Sequence, residues 1–326
     1  MKKFLIIRLS SIGDIVLTTP VVRCLKNQIS DAEVHFITKK QFFPVIEANP
    51  YIDKTFVIQN KIEEVIPALK AENYDYIIDL HRNFRSKGIR FKLQKKSAAF
   101  NKINIQKWLI VNFKIDRLPD VHIVDRYFET IENLGVKNDN LGLDYFIPER
   151  DEITIDSLPI ENKQNYIGWV IGGKHQTKIF PENKIVEVIK EISKPVVLIG
   201  GPEDSEKGEW IKRKGGNHIF NACGKFNLNQ SASLVRNASL ILTNDTGLMH
   251  VAAAFRKNII SFWGNTIPQF GMYPYMPGDE MKSDIVEINN LSCRPCSKLG
   301  YNKCPKKHFD CMNKIEIKRI LELIRT

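Results

Sequence analysis

Short aliphatic runs alternate along this chain with longer segments in which apolar residues recur at helical spacing. In the first half the runs cover residues 4–7, 34–37 and 76–80, and amphipathic segments cover 15–26 and 62–72. Aliphatic runs without strict polar alternation are typical of strands that are buried on both faces. The pattern therefore predicts a parallel sheet covered by helices, as in a Rossmann-like domain.

The second half of the chain repeats this alternation. Its aliphatic runs cover 166–171, 195–199, 240–243 and 258–262, and its amphipathic segments cover 182–192, 205–213, 229–236 and 247–254. Because ligands of open α/β sheets bind beyond the carboxyl ends of the strands, two such units facing each other predict a ligand cleft between them.

Residues 148–165 separate the two units and are rich in acidic and turn-forming residues, which predicts a linker there. We predict four segments: an N-terminal domain over 1–150, a linker over 151–165, a C-terminal domain over 166–312 and a closing helix over 313–326 that packs across both domains.

Composition and charge narrow the range of partners. The chain has 326 residues, of which 43% are hydrophobic and 26% charged, as in ordinary globular proteins. Its net charge of +11 favours an anionic partner, which could be nucleic acid, an anionic membrane or a phosphorylated small molecule. The sequence lacks a run of roughly 18 apolar residues, so we expect a cytoplasmic protein that could touch the inner membrane peripherally.

The turn RLSSIGD, residues 8–14, joins the first predicted strand to the first helix. Gly13 permits a tight backbone there, and Ser11 and Asp14 are residue types that cap helices. At the carboxyl edge of a strand, however, Asp14 would also face the cleft, where a carboxylate can remove a proton from an attacking hydroxyl. The residues leave both roles open.

A second turn, TNDTGLMH over residues 243–250, also leaves a predicted strand and begins a helix. The free N–H groups and the positive end of such a helix can bind a diphosphate, with Thr246 adding a donor and Gly247 allowing close approach. His250 lies one turn further along. Asp245 would repel a diphosphate, so we expect it to cap the helix or to hold a ribose hydroxyl or a cation.

A third candidate is the loop GGKHQTK, residues 172–178. Gly172 and Gly173 could let a phosphate approach the backbone, and Lys178 could neutralise charge on a diphosphate leaving group. A solvated basic loop would have the same composition. The chain lacks GxxxxGK[ST] and GxGxxG, which argues against a P-loop kinase and a dinucleotide dehydrogenase.

Together these motifs resemble glycosyltransferase family 9, the ADP-heptose:lipopolysaccharide heptosyltransferases. The resemblance runs in order from residue 4 to about 312 and rests on IIRLSSIGDIVLTTP at 6–20, TK before FP at 177–181, IGGPED at 199–204 and NDTGLMHVAAA at 244–254. It implies a GT-B fold, in which two Rossmann-like domains face each other across a cleft, with the acceptor on the first domain and an ADP-sugar on the second.

The resemblance also implies a reaction and the residues that perform it. The reaction would be inverting transfer of a heptose or related sugar to a lipopolysaccharide-core acceptor, without a cofactor in catalysis. By position, Asp14 resembles the family's general base and Lys178 its phosphate-contacting lysine. The donor-binding set comprises Thr177, Lys178, Asp245, Thr246, Gly247 and His250, with Ser11, Gly13, Gly172 and Gly173 as loop residues.

The segment DLHRNFRS, residues 79–86, opens a basic stretch and also resembles a family segment. We expect Arg82 and Arg85, nearest the strand end, to bind an anionic lipid-linked glycan. A solvated helix face is the alternative for the other cations, and Lys102 and Lys107 are further candidates for acceptor contacts.

Four cysteines cluster near the end of the chain as Cys293-x2-Cys296-x7-Cys304-x6-Cys311. Four thiolates could hold a structural zinc, although the spacing differs from two paired CxxC knuckles. Packed thiols and a disulfide are the alternatives. The resemblance favours a structural role, because similar cysteines occur in many family members.

Two other functions are compatible with parts of the sequence. A nucleotide-sugar epimerase would share the architecture but would need no acceptor. A basic nucleic-acid-binding protein would explain the charge, but it explains neither Asp14 nor the Asp-Thr-Gly turn, and the basic residues lack an aromatic stacking platform.

Overall fold

The computed structural model describes residues 2–161, 165–278 and 282–325. The strands are β1 (Lys2–Ile7), β2 (Ala32–Lys39), β3 (Lys54–Ile58), β4 (Tyr76–Asp79), β5 (Ser97–Ala99), β6 (Ile167–Val170), β7 (Val196–Ile199), β8 (Ile219–Asn221), β9 (Leu240–Asn244), β10 (Ile259–Trp263) and β11 (Ser283–Glu287). The helices are α1 (Ile12–Val16), α2 (Thr19–Gln28), α3 (Ile66–Ala71), α4 (Phe84–Leu93), α5 (Asn104–Phe113), α6 (Ile123–Phe128), α7 (Glu182–Lys190), α8 (Ser205–Gly215), α9 (Leu228–Asn237), α10 (Gly247–Ala254), α11 (Asp310–Asn313) and α12 (Ile317–Arg325).

The strands form two sheets, one in each half of the chain. Their orders are β3-β2-β1-β4-β5 and β11-β10-β9-β6-β7-β8, and the neighbouring strands run parallel. Each order reverses direction at the first strand of its unit, between β1 and β4 and between β6 and β9. Such a reversal opens a crevice at the carboxyl ends of the strands, where ligands bind. The predicted architecture of two Rossmann-like units is confirmed.

Both faces of the first sheet are buried, which explains its continuous aliphatic runs. On β1, Phe4 and Ile6 enter one apolar cluster while Leu5 and Ile7 enter another on the opposite face. The cluster around Phe4 also contains Val170 of the second sheet, together with residues of α1, α2, α9 and α10. One apolar layer therefore continues from the first unit into the second.

Two predicted helices are each divided at a proline. The segment predicted at 15–26 forms α1 and α2, with Pro20 in the first turn of α2. The segment predicted at 62–72 forms a 3₁₀ turn, Ile62–Glu64, followed by α3, which has Pro67 in its first turn. Proline lacks an N–H and is tolerated in the first turn of a helix but not in its interior.

The strands that the sequence pattern did not indicate are β3, β5, β8 and β11. They are the four edge strands of the two sheets. Edge strands are commonly short and less apolar, so their pattern is weak. The other predicted strands and helices agree with the structure to within a few residues.

The predicted linker lies partly outside the described residues, at 162–164. Its beginning contacts α9, where the Ser233 hydroxyl accepts a hydrogen bond of 3.0 Å from the Ile153 N–H. At the end of the chain, α12 lies beside α7, with Ile320 in the core of the second sheet. The domain boundaries and the packing of the closing helix across both domains stay predictions. Over the described ranges, none of the helices has the length and apolarity that crossing a bilayer requires.

Gly168, in the middle of β6, tests how closely the second sheet is packed. A Cβ there would lie 2.7 Å from Ile241 Cδ1 and 3.3 Å from Ala238 Cβ. We expect Gly168→Ala to lower the free energy of unfolding by about 1–3 kcal/mol, because the core must move to admit a methyl group.

The matched control is Gly88→Ala in α4, where a Cβ would meet nothing within 4 Å. This change should raise stability by about 0.5–1 kcal/mol, because alanine is favoured over glycine inside a helix. Urea unfolding of both variants measures the difference, and equal effects would contradict the packing described for β6.

Candidate active site

The predicted site residues lie at the carboxyl ends of four strands that flank the two reversal points. Ser11, Gly13 and Asp14 follow β1, and Arg82 follows β4. In the second sheet, the loop 172–178 follows β6, and residues 245–247 follow β9. The fold therefore places the three motifs at the positions where open α/β sheets bind ligands.

Helices α1 and α10 bring the two sheets into direct contact at this point. A Cβ on Gly13 would lie 2.5 Å from His250 Cδ2 and 3.2 Å from Gly247 Cα. A Cβ on Gly247 would lie 2.9 Å from Ile12 Cβ. Neither position has room for a side chain, so the two glycines allow a first-unit helix to touch a second-unit helix. The donor-binding role expected of Gly247 stays a prediction.

Asp14 is held by three hydrogen-bonded or charged contacts. Its Oδ1 lies 2.6 Å from Arg8 Nη2, and its Oδ2 accepts hydrogen bonds from the Ser11 N–H at 3.1 Å and the Ser11 hydroxyl at 2.7 Å. Ser11 is the N-cap residue of α1, so Asp14 does take part in the cap. The side chain nevertheless remains 22% exposed.

Arg8 is a buried residue of this site that the sequence reasoning did not single out. Its guanidinium also donates to the Leu80 carbonyl and, at 2.9 Å, to the Tyr127 hydroxyl. Burial alone would raise the pKa of Asp14, but the Arg8 charge and the Ser11 hydrogen bonds outweigh it and lower that pKa. Asp14 is therefore a carboxylate at neutral pH. In the sequence, the available signal for Arg8 is a cation six residues before Asp14.

His250 lies on α10 between two carboxylates. It is buried and within electrostatic range of both Asp245 and Asp14. Burial nevertheless lowers its pKa to about 4, because the charged imidazolium would lose its hydration. Within the described part of the chain, its Nδ1 has no hydrogen-bond partner. At neutral pH, His250 is an uncharged ring that packs against Gly13.

Lys178 is paired with Asp245 at the second reversal point. The Lys178 ammonium lies 2.5 Å from Asp245 Oδ2, which also accepts a 2.9 Å hydrogen bond from the Thr266 hydroxyl. The N-cap of α10 is Thr246, so the expectation that Asp245 caps this helix is wrong. Asp245 positions Lys178 instead. The Thr246 hydroxyl is buried, and no partner for it lies within the described ranges.

The loop 172–178, which begins with two glycines, is shaped by contacts with neighbouring side chains. A Cβ on Gly172 would lie 2.2 Å from Asp204 Oδ2, so this glycine makes room for a carboxylate that accepts from Lys207 at 2.8 Å. Gly173 lies against Ile179 and Thr246. Asp204 is the last residue of the IGGPED motif, so this motif supports the loop 172–178.

Thr177 is also occupied by a structural contact. Its hydroxyl accepts a 2.8 Å hydrogen bond from the Tyr301 N–H, and the Thr177 N–H donates to the Tyr301 carbonyl at 3.1 Å. Tyr301 belongs to the cysteine-rich loop. That loop therefore fixes the short turn Gln176–Lys178, which carries Lys178.

Arg82 and Arg85 follow β4 at the edge that also holds Asp14. The Arg82 N–H donates to Asp79 Oδ1 at 2.7 Å, and its guanidinium donates to the Phe100 carbonyl at 2.8 Å. Arg85 is exposed and, with Lys39 and Lys61, lines a cavity of about 770 Å³ beyond β1, β2 and β3. The two arginines thus have different environments.

The four cysteines lie in the segment that follows β11, and none forms a disulfide. Burial raises the pKa of the Cys311 thiol to about 12, and Cys293 Sγ lies 3.8 Å from His308 Nε2. The other three thiols raise this pKa further, so the four cysteines lie within electrostatic range of one another. Among the residues that the structure describes, a compact group of potential metal ligands is formed by Glu33, His35 and Glu72. The two carboxylates of this group are paired with Lys3 and Lys54.

The depressed pKa of His250 predicts a pH dependence of stability. In the unfolded chain His250 takes up a proton near pH 6.5, whereas in the folded chain its pKa is about 4. Stability should therefore fall as the pH drops through this window, by about 1.4 kcal/mol per pH unit from this residue. Thermal unfolding between these pH values measures the effect. The free energy of unfolding of His250→Gln should change with pH less steeply than that of the wild type, by that amount. An unchanged slope would contradict the buried, neutral histidine.

Comparison with known proteins identifies the family. The profile of glycosyltransferase family 9 (heptosyltransferase) matches residues 62–302. Lipopolysaccharide heptosyltransferase 1 of Campylobacter coli is 25% identical over 355 residues, covering 99% of this chain and 98% of that protein. Lipopolysaccharide heptosyltransferase 3 of Escherichia coli K12 is 25% identical over 282 residues, covering 78% and 80%.

Solved structures agree on the fold. A family 9 glycosyltransferase from Veillonella parvula has a TM-score of 0.80 at 23% identity, and the alignment covers 100% of this chain and 98% of that one. The E. coli ADP-heptose lps heptosyltransferase II has a TM-score of 0.75 at 20% identity, with the same coverage. The chain is thus a glycosyltransferase with the GT-B fold, and it belongs to glycosyltransferase family 9, the heptosyltransferases.

Proposed function

We propose that this enzyme transfers a heptose or a related sugar from an ADP-sugar to an acceptor of the lipopolysaccharide-core type, with inversion at the anomeric carbon. The observation that carries the proposal is the contact of Gly13 with His250 and Gly247. Asp14 and Lys178 are both within electrostatic range of His250, so the carboxylate of one sheet would act together with the lysine and the helix N-terminus of the other. A base and a diphosphate-binding turn then belong to one site.

The donor would bind the second unit. An ADP-sugar suits the family, since the E. coli relative is named for ADP-heptose. The free N–H groups at the start of α10 attract a diphosphate, and the unpartnered Thr246 hydroxyl adds a donor. Lys178 supplies positive charge, and Asp245 and Thr266 fix its position. These groups would stabilise the charge that develops on departing ADP.

Asp14 would act as the general base. Its carboxylate takes the proton of the acceptor hydroxyl as that oxygen attacks the anomeric carbon and ADP leaves from the opposite face. One displacement of this kind inverts the configuration. A second carboxylate acting as an acid is unnecessary, because a diphosphate leaves without protonation, unlike the alcohol that a glycosidase releases.

Arg8 would set the timing of the proton transfer. Because Arg8 and Ser11 lower the pKa of Asp14, the carboxylate is a weak base towards a free alcohol. The hydroxyl becomes far more acidic as its oxygen bonds to the anomeric carbon, so the proton moves late in the reaction. Arg8 is thus a positioning residue that also keeps Asp14 ionised.

The acceptor would bind the first unit. The relatives are named for lipopolysaccharide, and we expect an anionic, lipid-linked acceptor of that type here. Exposed Arg85, with Lys39 and Lys61 in the adjoining cavity, and Arg82 at the end of β4 offer positive charge at the edge that holds Asp14. We assign residues 1–150 to the acceptor and 166–312 to the donor.

The structural zinc is a separate proposal, and no step of the reaction uses it. The four thiols would hold the loop that supports Thr177. Metal analysis of the purified chain decides the matter: about one zinc per chain, lost on Cys304→Ser, supports the proposal, and no zinc removes it.

Binding of ADP tests the donor site. Lys178→Ala and Thr246→Ala should each weaken ADP binding by about 1–3 kcal/mol in calorimetry without added metal, because each removes a group that contacts the diphosphate. Lys194→Ala, an exposed lysine, is the control and should bind as the wild type does. ADP binding that is absent, or equal in all variants, would rule out this donor site.

Transfer activity tests the base. Asp14→Asn should lower the rate of transfer at least ~100-fold while ADP binding persists, because the amide cannot accept the proton. Asp31→Asn, an exposed carboxylate, is the control. Proton NMR of the product should show the anomeric configuration opposite to that of the donor. A retained configuration, or near-normal transfer by Asp14→Asn, would exclude this mechanism.

A further inference from the structure

The excess positive charge of this chain is confined to residues 80–115. This segment contains ten Lys and Arg and no Asp or Glu, whereas the rest of the chain has 38 Lys and Arg against 37 Asp and Glu. Charge of one sign that is concentrated in this way creates a strong local field. The segment contains α4 and α5.

The same segment holds six of the eleven large hydrophobic side chains that are exposed in the described residues. They are Phe84, Phe91, Ile105, Trp108, Phe113 and Ile115. Phe84 is 94% and Phe91 is 77% exposed, which is unusual for side chains of this size. Exposed apolar groups that cluster in this way mark interaction sites.

Helix α4 buries one side, and its outward side carries aromatic rings as well as charge. Its buried residues are Ser86, Ile89 and Leu93, which lie along one side. Phe84 and Phe91 are two turns apart on the opposite side. Exposed cations flank these rings at Arg85, Lys87 and Lys92. Aromatic side chains bordered by Lys and Arg are typical of helices that lie at a membrane surface.

Helix α5 is anchored on its inner side and exposes apolar groups on its outer side. Ile110 packs with Ile267 and Phe270 of the second unit. The outer side carries Ile105 and Trp108, and the Trp108 ring packs edge-on against Phe113 at 5.0 Å between centroids. The inner contacts hold the helix in place, so its apolar outer side is a fixed feature of the surface.

The two helices begin side by side at the edge of the sheet that holds Asp14. They follow β4 and β5, which are neighbours in the sheet. The Arg82 guanidinium joins the two connecting loops through its 2.8 Å hydrogen bond to the Phe100 carbonyl. The basic and aromatic side chains therefore border the acceptor side of the cleft.

We propose that the outer sides of α4 and α5, here called the α4–α5 surface, dock on an anionic phospholipid bilayer. The aromatic rings would enter the headgroup region, and the surplus cations would attract acidic headgroups. Pairing with a second copy of the chain is disfavoured, because two such surfaces would repel each other. The proposal deepens the proposed function, since a lipid-linked acceptor would lie in the same bilayer beside the cleft.

Binding to lipid vesicles tests this surface without donor or acceptor. The full chain should float with vesicles of phosphatidylglycerol and phosphatidylethanolamine but not with phosphatidylcholine vesicles. Phe84→Ser combined with Phe91→Ser should weaken the partition into the vesicles at least ~10-fold, because two exposed rings that would enter the bilayer are lost. The control is Leu141→Ser combined with Leu299→Ser, which removes exposed apolar groups elsewhere and should bind as the wild type does.

The fluorescence of Trp108 provides a second readout, which is measured on the wild-type chain and does not depend on whether a variant folds. Trp169 and Trp263 are buried and Trp210 is packed on the core, so a blue shift of fluorescence on adding vesicles would report Trp108. The shift should disappear in Trp108→Phe.

Several results would overturn the proposal. One is that the chain does not bind phosphatidylglycerol vesicles, and another is that the phenylalanine and leucine double variants bind them equally. A third is a dimer, seen by light scattering, that the Phe84 and Phe91 changes dissociate. Salt-sensitive binding to DNA in place of vesicles would likewise assign the surface to nucleic acid. Because vesicle binding involves no transfer, failure here leaves the Asp14 mechanism standing, and failure of Asp14→Asn to lose activity leaves the docking result standing.

Discussion

The close approach of α1 and α10 is the constraint on which the rest of the site depends. Gly13 and Gly247 leave no room for a side chain between the two helices, and His250 fills the remaining space. This contact aligns the reversal points of two sheets that are far apart in sequence. Without it, Asp14 and Lys178 would be residues of separate crevices. With it, Asp14 and Lys178 both lie within electrostatic range of His250.

The charges around this contact are nearly all paired. Arg8 is paired with Asp14, Lys178 is paired with Asp245, and His250 is neutral between the two carboxylates. Buried charges require such pairing, because their loss of hydration is costly. The surplus charge of the protein lies instead on α4 and α5, at the solvent. The fold thus separates cations that fix the chemistry from cations that can attract a large anionic surface.

The sequence predicted the two units well, because strands buried on both faces leave uninterrupted aliphatic runs. It predicted the edge strands poorly, since β3, β5, β8 and β11 are only three to five residues long. It located the turns of the candidate site but not the contacts that shape them. Gly172 accommodates Asp204, and Thr177 holds the cysteine-rich loop. Arg8 was missed, because its partner Asp14 becomes evident only when β1 and α1 are folded together.

A crystal structure with ADP and a non-transferable acceptor analogue would test the central claim, that the two reversal points form one site. The diphosphate should lie at the start of α10 within hydrogen-bond distance of Lys178, with the acceptor hydroxyl next to Asp14 on the far side of the sugar position. A nucleotide bound in the cavity of Lys39, Lys61 and Arg85, with Asp14 remote from both ligands, would contradict the account.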